Sequence, residues 1–280
     1  MEKTQEITVT QMRKSVEKLG SATESCSDTT LMRFLIARSM DPEKAAKMFV
    51  QWQKWRSAFV PNGFIPDSDV LDELQTRKVF LQNLTKEGYP VLIVKGSKHF
   101  PAKDHLQFKK NGTNQYQIEE IRPTNKSLLP MVRNWEIYKG YGQLFKEFVV
   151  HFLDKTIASS FRGREIGNEK LIGILDLQQI TYRNTDARGL ITGFQFLQAY
   201  YPERLAKCFI LHMPRFFVSV WRVVSRFLEK ATQEKIVIVS NEEERENFMK
   251  EIGEEILPEE YGGQAKLVPI QDVVLPQLEG

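Results

Sequence analysis

The feature that most constrains this chain is the order of its apolar runs after residue 66, where short β-branched stretches alternate with longer amphipathic ones. Val91–Val94, Leu171–Leu175, Phe209–Leu211 with its flanks, and Ile236–Val239 have strand length and strand composition. From Leu171 onward, helices expected over Gly189–Tyr201, Phe216–Leu228 and Glu242–Ile252 give the order β-α-β-α-β-α. Strands joined through helices pair in parallel, so the fold expected is α/β with a mostly parallel sheet and helical crossovers.

The first third reads differently. Ser27 and Asp28 are capping residues ahead of Leu31, Met32, Phe34, Leu35 and Ile36, in a helix running to Arg38. Asp41 followed by Pro42 starts a second helix, in which Ala45, Met48, Phe49, Trp52, Trp55 and Phe59 recur at three- and four-residue spacing on one face. Pro61, Gly63 and Pro66 end it. The organisation expected is a helical subdomain over 1–66, an α/β domain over 67–270 and a tail over 271–280. Residues 109–146 stand outside this rhythm. They carry Asn111-Gly112-Thr113-Asn114 and Arg122-Pro123-Thr124-Asn125 and no sustained apolar period, which reads as an inserted surface loop or an artefact of the gene model.

Composition narrows the function. Of 280 residues, 41% are apolar and 27% charged, enough for a sizeable core, and 39 basic against 36 acidic residues are scattered without a nucleic-acid-binding run. Cys26 and Cys208 have no zinc or disulfide spacing, which fits a reducing cytosol. No apolar run approaches the roughly 18 residues a bilayer span needs, so membrane contact is expected to be peripheral. There is no nucleophile elbow, P-loop, dinucleotide fingerprint or zinc-protease motif, and His99, His105, His151 and His212 lack ligand spacing. His212 and Asp176, at strand ends, read as structural. No catalytic residue and no metal site is expected.

The stretch after Pro214 is more telling. Phe216, Phe217, Val218, Val220, Trp221, Val223, Val224, Phe227 and Leu228 leave only Ser219, Arg222, Ser225 and Arg226 as a polar stripe. That arc is wider than one core contact uses. It fits a helix buried on nearly all sides, or one covering an apolar cavity and able to meet lipid with another face.

Several segments, in order and at characteristic distances, resemble the CRAL-TRIO lipid-binding family and within it the yeast-type phosphatidylinositol transfer proteins. They are Leu31-Met32-Arg33-Phe34-Leu35-Ile36-Ala37-Arg38, Tyr200-Tyr201-Pro202-Glu203-Arg204-Leu205, Phe227-Leu228-Glu229 with Thr232 and Lys235-Ile236, and Leu257-Pro258-Glu259-Glu260-Tyr261-Gly262-Gly263. The resemblance implies an apolar pocket floored by the sheet and closed by a movable helix. It places Phe216, Phe217, Val220, Trp221, Val224, Phe227 and Leu228 in that gate, with Trp221, Phe217 and Val220 meeting the membrane when it opens. It further implies a phosphatidylinositol headgroup held by Arg38, Glu203, Thr232 and Lys235. The chemistry of these side chains is compatible: arginine and lysine neutralise phosphate, threonine donates, and glutamate accepts from inositol hydroxyls. Plainer readings exist, with Arg38 as a helix C-terminal cation, Glu203 paired to Lys207 and Lys235 solvated. The family pattern is broken at Ser39, where a second basic residue commonly stands.

The function expected is exchange of phosphatidylinositol for phosphatidylcholine or another lipid between membranes, by a cytoplasmic monomer that visits membranes transiently. The phospholipid is cargo and no cofactor is expected. A carrier of a sterol, tocopherol or retinoid is the alternative, and an α/β enzyme a more distant one.

Overall fold

The computed structural model describes residues 3–99, 129–161, 169–185 and 187–275. Three helices open the chain: α1 (Lys3–Lys18), α2 (Asp28–Ala37) and α3 (Pro42–Phe59). The capping residues act as read. Ser27 accepts from the Thr30 N–H, and Asp41 accepts from the N–H groups of Glu43 and Lys44, so orphan first-turn donors are satisfied. Val9, Met12, Leu31, Phe34 and Phe49 interlock as a separate small core.

After α4 (Leu71–Gln75) come β1 (Val79–Leu84) and β2 (Pro90–Lys95), then α5 (Leu129–Phe161), β3 (Leu171–Asp176), α6 (Ala187–Tyr200), β4 (Leu205–Leu211), α7 (Arg215–Val224), α8 (Lys230–Gln233), β5 (Ile236–Ile238) and α9 (Glu242–Ile252). The sheet order is β1-β2-β3-β4-β5. Its β1–β2 pair is antiparallel and the other pairs are parallel. The mostly parallel α/β architecture with N-terminal helices is therefore as expected.

Strand alternation sorts the residues onto two faces. Phe80, Val91, Ile93, Ile172 and Phe209 pack against Phe248 and Ile252 of α9 and against Leu257 and Tyr261. Val79, Leu92, Gly173, Leu175 and Cys208 point the other way, toward α5, α6 and α7.

Four expectations need correction. β1 was not anticipated, because Gln82 and Asn83 interrupt its apolar run. The expected helix over Phe216–Leu228 ends at Val224; Ser225–Phe227 tighten into a 3-10 turn, and Leu228 is extended at φ −88° and ψ 141°, which turns its side chain into the core. Residues 129–146 are not loop but the first half of α5, whose Phe145 reaches the Gly193 backbone, while residues 109–128 lie outside the described residues. The expected tail is anchored at its start: Gln271 donates to the Leu74 carbonyl at 3.1 Å and Asp272 pairs with Arg77 at 3.0 Å.

Candidate functional site

Between the sheet and the helices α5, α6 and α7 lies an apolar cavity of about 240 Å³. Leu92, Gly173 and Cys208 floor it, Phe148 and Phe152 of α5 and Phe194 of α6 wall it, and Phe217 of α7 closes it. Glycines make room. At Gly193 a Cβ would come within 3.2 Å of the Phe145 ring, and mid-strand Gly173 leaves free the space a side chain would take above the sheet. These residues were missed in the sequence. Gly173 inside an otherwise apolar strand was the available signal, since a strand glycine marks close approach of a ligand or another backbone.

Polar groups in the wall are satisfied from within the protein. The Asn184 amide donates to the carbonyls of Ser97 and His99 at 3.0 and 2.9 Å. Lys78 is bonded to Glu73, and both are almost fully buried. Desolvation lowers the Lys78 pKa, and the Glu73 charge opposes the shift. The interior is thus hydrocarbon-like. Ligand pockets usually run to about 300–1,000 Å³, so in this conformation the cavity is smaller than a two-chain lipid requires.

The expected gate residues divide in this conformation. Phe217, Val224 and Leu228 are buried, while Phe216, Val220 and Trp221 pack part-buried around Leu177 and Ile210. Phe217 is thus a cavity-closing side chain and not an outward one. The outward apolar face belongs to Val218, Val223 and Phe227, about half exposed, joined by Tyr182, which is 77% exposed and packs its ring on Phe216 at 4.4 Å.

Arg38, Glu203, Thr232 and Lys235 gather at the turn that follows α7, although none of them lines the cavity. Lys235 donates to Glu203 at 3.2 Å and its N–H bonds the Thr232 carbonyl. The Thr232 N–H in turn bonds the Glu229 carbonyl, and the Glu229 carboxylate lies 3.8 Å from Arg38. Glu203 sits in a turn at φ 54°, a left-handed conformation that costs a non-glycine residue about 1 kcal/mol or more and often marks a functional position. Lys207 pairs with Glu251 at 2.6 Å, so the plainer Glu203–Lys207 reading is wrong. Glu203 and Lys235 satisfy each other, so a neutral cargo would leave neither of these charges unpaired.

Asp176 is structural. Its carboxylate accepts from the Gln178 N–H at 2.9 Å and from the Tyr261 hydroxyl at 2.9 Å, and it faces His212 Nδ1 at 2.9 Å. This network ties the Leu257–Gly263 segment to the end of β3. Among the described residues no cluster of His, Cys, Asp and Glu is arranged to hold a metal, and no helix is long and apolar enough to cross a membrane.

The CRAL/TRIO domain family matches residues 74–263. A CRAL-TRIO domain-containing protein of Saccharomyces cerevisiae is 28% identical, covering 87% of this chain and 73% of its own length. The SEC14 cytosolic factor of Kluyveromyces lactis is 27% identical over 94% of this chain and 79% of its own. A phosphatidylinositol/phosphatidylcholine transfer protein of Arabidopsis thaliana is 27% identical over 83% of this chain and 39% of its own. The crystal structure of Sfh5 shares the fold, with a TM-score of 0.55 and 15% identity over 90% of this chain and 77% of that one. With an apolar cavity between the sheet and its helices and a match over residues 74–263, the chain belongs to the CRAL/TRIO domain family, and like its members it is a lipid carrier and not an enzyme.

Proposed function

We propose that this chain binds phosphatidylinositol and exchanges it for phosphatidylcholine or another phospholipid between membranes. The observation that carries the reading is an apolar cavity under α7, a helix that leads directly into the segment with Thr232 and Lys235, which Glu203 joins through Lys235 and Arg38 through Glu229. The similarity to a phosphatidylinositol/phosphatidylcholine transfer protein of Arabidopsis thaliana supports that cargo pair. On this reading the acyl chains enter the cavity as α7 swings outward. The phosphate meets Arg38 and Lys235, Thr232 donates to it, and Glu203 accepts from inositol hydroxyls. The protein works as a cytoplasmic monomer that touches membranes transiently and has no nucleic-acid partner.

Lipids extracted from the purified protein should contain phosphatidylinositol by mass spectrometry; an isoprenoid or sterol instead would establish the alternative cargo. Thr232→Asp places a carboxylate where the phosphate should lie. It should lower phosphatidylinositol transfer between vesicles by at least about tenfold, a change of roughly 1.4 kcal/mol, and leave phosphatidylcholine transfer nearly unchanged. Equal loss of both in a folded protein would refute the headgroup assignment.

Gate movement has its own readout. Cys208 is part-buried in the cavity floor, and desolvation there pushes its thiol up to about 12. At pH 8 only about one thiol in 10⁴ is then ionised, and a thiol reagent should react slowly in buffer. In a Cys26→Ser background, vesicles should accelerate the reaction at least tenfold as α7 opens and admits water. An unchanged rate during active lipid transfer would mean that α7 is not the gate.

A further inference from the structure

A second, larger cavity lies away from the first, in the cleft where α2 and α3 meet α5 and α6. It encloses about 840 Å³. Ile65, Ile157, Tyr200 and Val273 supply apolar wall, and Phe64 stands 62% exposed at the cleft. The cations Arg33, Arg56, Lys155 and Arg204 line it against the carboxylates Asp67 and Asp154.

Two side chains of the wall are nine-tenths buried and poorly served, one helical turn apart on α5. The His151 Nδ1–H donates to the Ile65 carbonyl at 2.8 Å, so in the neutral ring Nε2 is an acceptor. That nitrogen has no hydrogen-bond partner among the described residues; Asp67 Oδ1 lies 3.4 Å away, an ion-pair contact when the ring is protonated and a facing acceptor when it is neutral. The Lys155 side chain is 10% exposed, yet among the described residues its ammonium makes only a long hydrogen bond to the Gln271 carbonyl at 3.5 Å and a loose ion pair with Asp67 Oδ2 at 3.7 Å. An ammonium with donors to spare therefore stands beside an orphaned acceptor, at the edge of an apolar cleft. Asp67, with its side chain 57% exposed, can swing aside.

We propose that this cleft is a second ligand site, taking a single-chain amphiphile whose head carries an anionic oxygen next to a hydroxyl. Lys155 holds the anion, the hydroxyl donates to His151 Nε2, and the alkyl chain lies along Ile65, Ile157 and Tyr200. Lysophosphatidate has this chemistry, and it shares the anion with free phosphate.

Calorimetry with oleoyl lysophosphatidate below its aggregation threshold tests the site. Gly173→Ile fills the central cavity, where a Cβ meets nothing closer than 3.6 Å, and should abolish phosphatidylinositol transfer while still binding one equivalent of lysophosphatidate. In that background, Lys155→Met should weaken binding at least tenfold, and Ile157→Trp, which fills the cleft without touching a charge, should abolish it. Oleyl phosphate, lacking the hydroxyl, should bind more weakly than lysophosphatidate, and inorganic phosphate more weakly still. Lys155→Met alone should transfer phosphatidylinositol normally, which separates this site from the headgroup assignment. The proposal fails if Gly173→Ile removes lysophosphatidate binding, if Lys155→Met leaves it intact, or if inorganic phosphate binds as tightly as the amphiphile.

Discussion

Gly263→Ala is expected to destabilise the protein by about 3–5 kcal/mol, at the upper end of single substitutions, because the new methyl has nowhere to go. A Cβ at this position would lie 1.9 Å from the Leu257 carbonyl oxygen and 2.6 Å from Leu257 Cβ. That carbonyl cannot retreat, since it accepts the Ala265 N–H at 3.0 Å, and Leu257 is fully buried against the α9 face of the sheet. The neighbouring glycine makes a control. Gly262 needs its glycine for φ 95°, yet a Cβ there meets only the flexible end of Met249 at 3.2 Å, so Gly262→Ala should cost about 1–2 kcal/mol. Urea denaturation should rank the two in this order, with a fall in melting temperature of about 10 °C or more for Gly263→Ala. A Gly263→Ala protein as stable as Gly262→Ala would show that the two strands of this turn can separate cheaply. The effect should also reach β3, because Tyr261 in the same turn supplies a hydrogen bond to Asp176.

What could be read in the sequence was what is decided locally. Ser27 and Asp41 announce helix starts because a capping oxygen acts within three residues. β3 and the Phe209–Leu211 end of β4 stand out because the buried core of a parallel sheet reads as continuous apolar runs. β1 escaped notice because Gln82 and Asn83 break its apolar run, although both faces of its first four residues are buried. The first half of α5 escaped because turn-like residues and the lack of a clear apolar period outweighed helix propensity. The headgroup cluster was assembled from a family pattern, and only the fold reveals that Glu203 meets Lys235 across 32 residues and not Lys207 within four. The cleft at His151 and Lys155 was illegible for the same reason, as its lining comes from α2, α3, α5, α6 and three connections.

The buried pair of Glu73 and Lys78 gives the second large effect. Both side chains are almost completely enclosed, Lys78 lies over the Phe148 ring, and it forms part of the cavity wall. Glu73→Ala would leave an ammonium with no counter-ion in an apolar wall and should cost about 3–5 kcal/mol at neutral pH. The pH dependence has a definite sign. Desolvation already lowers the Lys78 pKa, and removing the carboxylate that opposes this shift lowers it further. Over the interval between the folded value and the ordinary lysine range the unfolded chain binds the extra proton, so stability should rise with pH there. Lys78→Met should behave oppositely. A buried carboxylate without its ammonium is better tolerated protonated, so that variant should be more stable near pH 5 than near pH 8. Replacing both residues, Glu73→Leu with Lys78→Met, removes both desolvation penalties along with the attraction and should return stability to within about 1–2 kcal/mol of the parent. Denaturation curves at three pH values distinguish these cases, and a double variant as unstable as either single one would mean that the pair's geometry, not its charge, holds this wall. If the double variant also carries phospholipid at the parental rate, the ion pair serves the fold alone, and cargo meets only hydrocarbon along this side of the cavity.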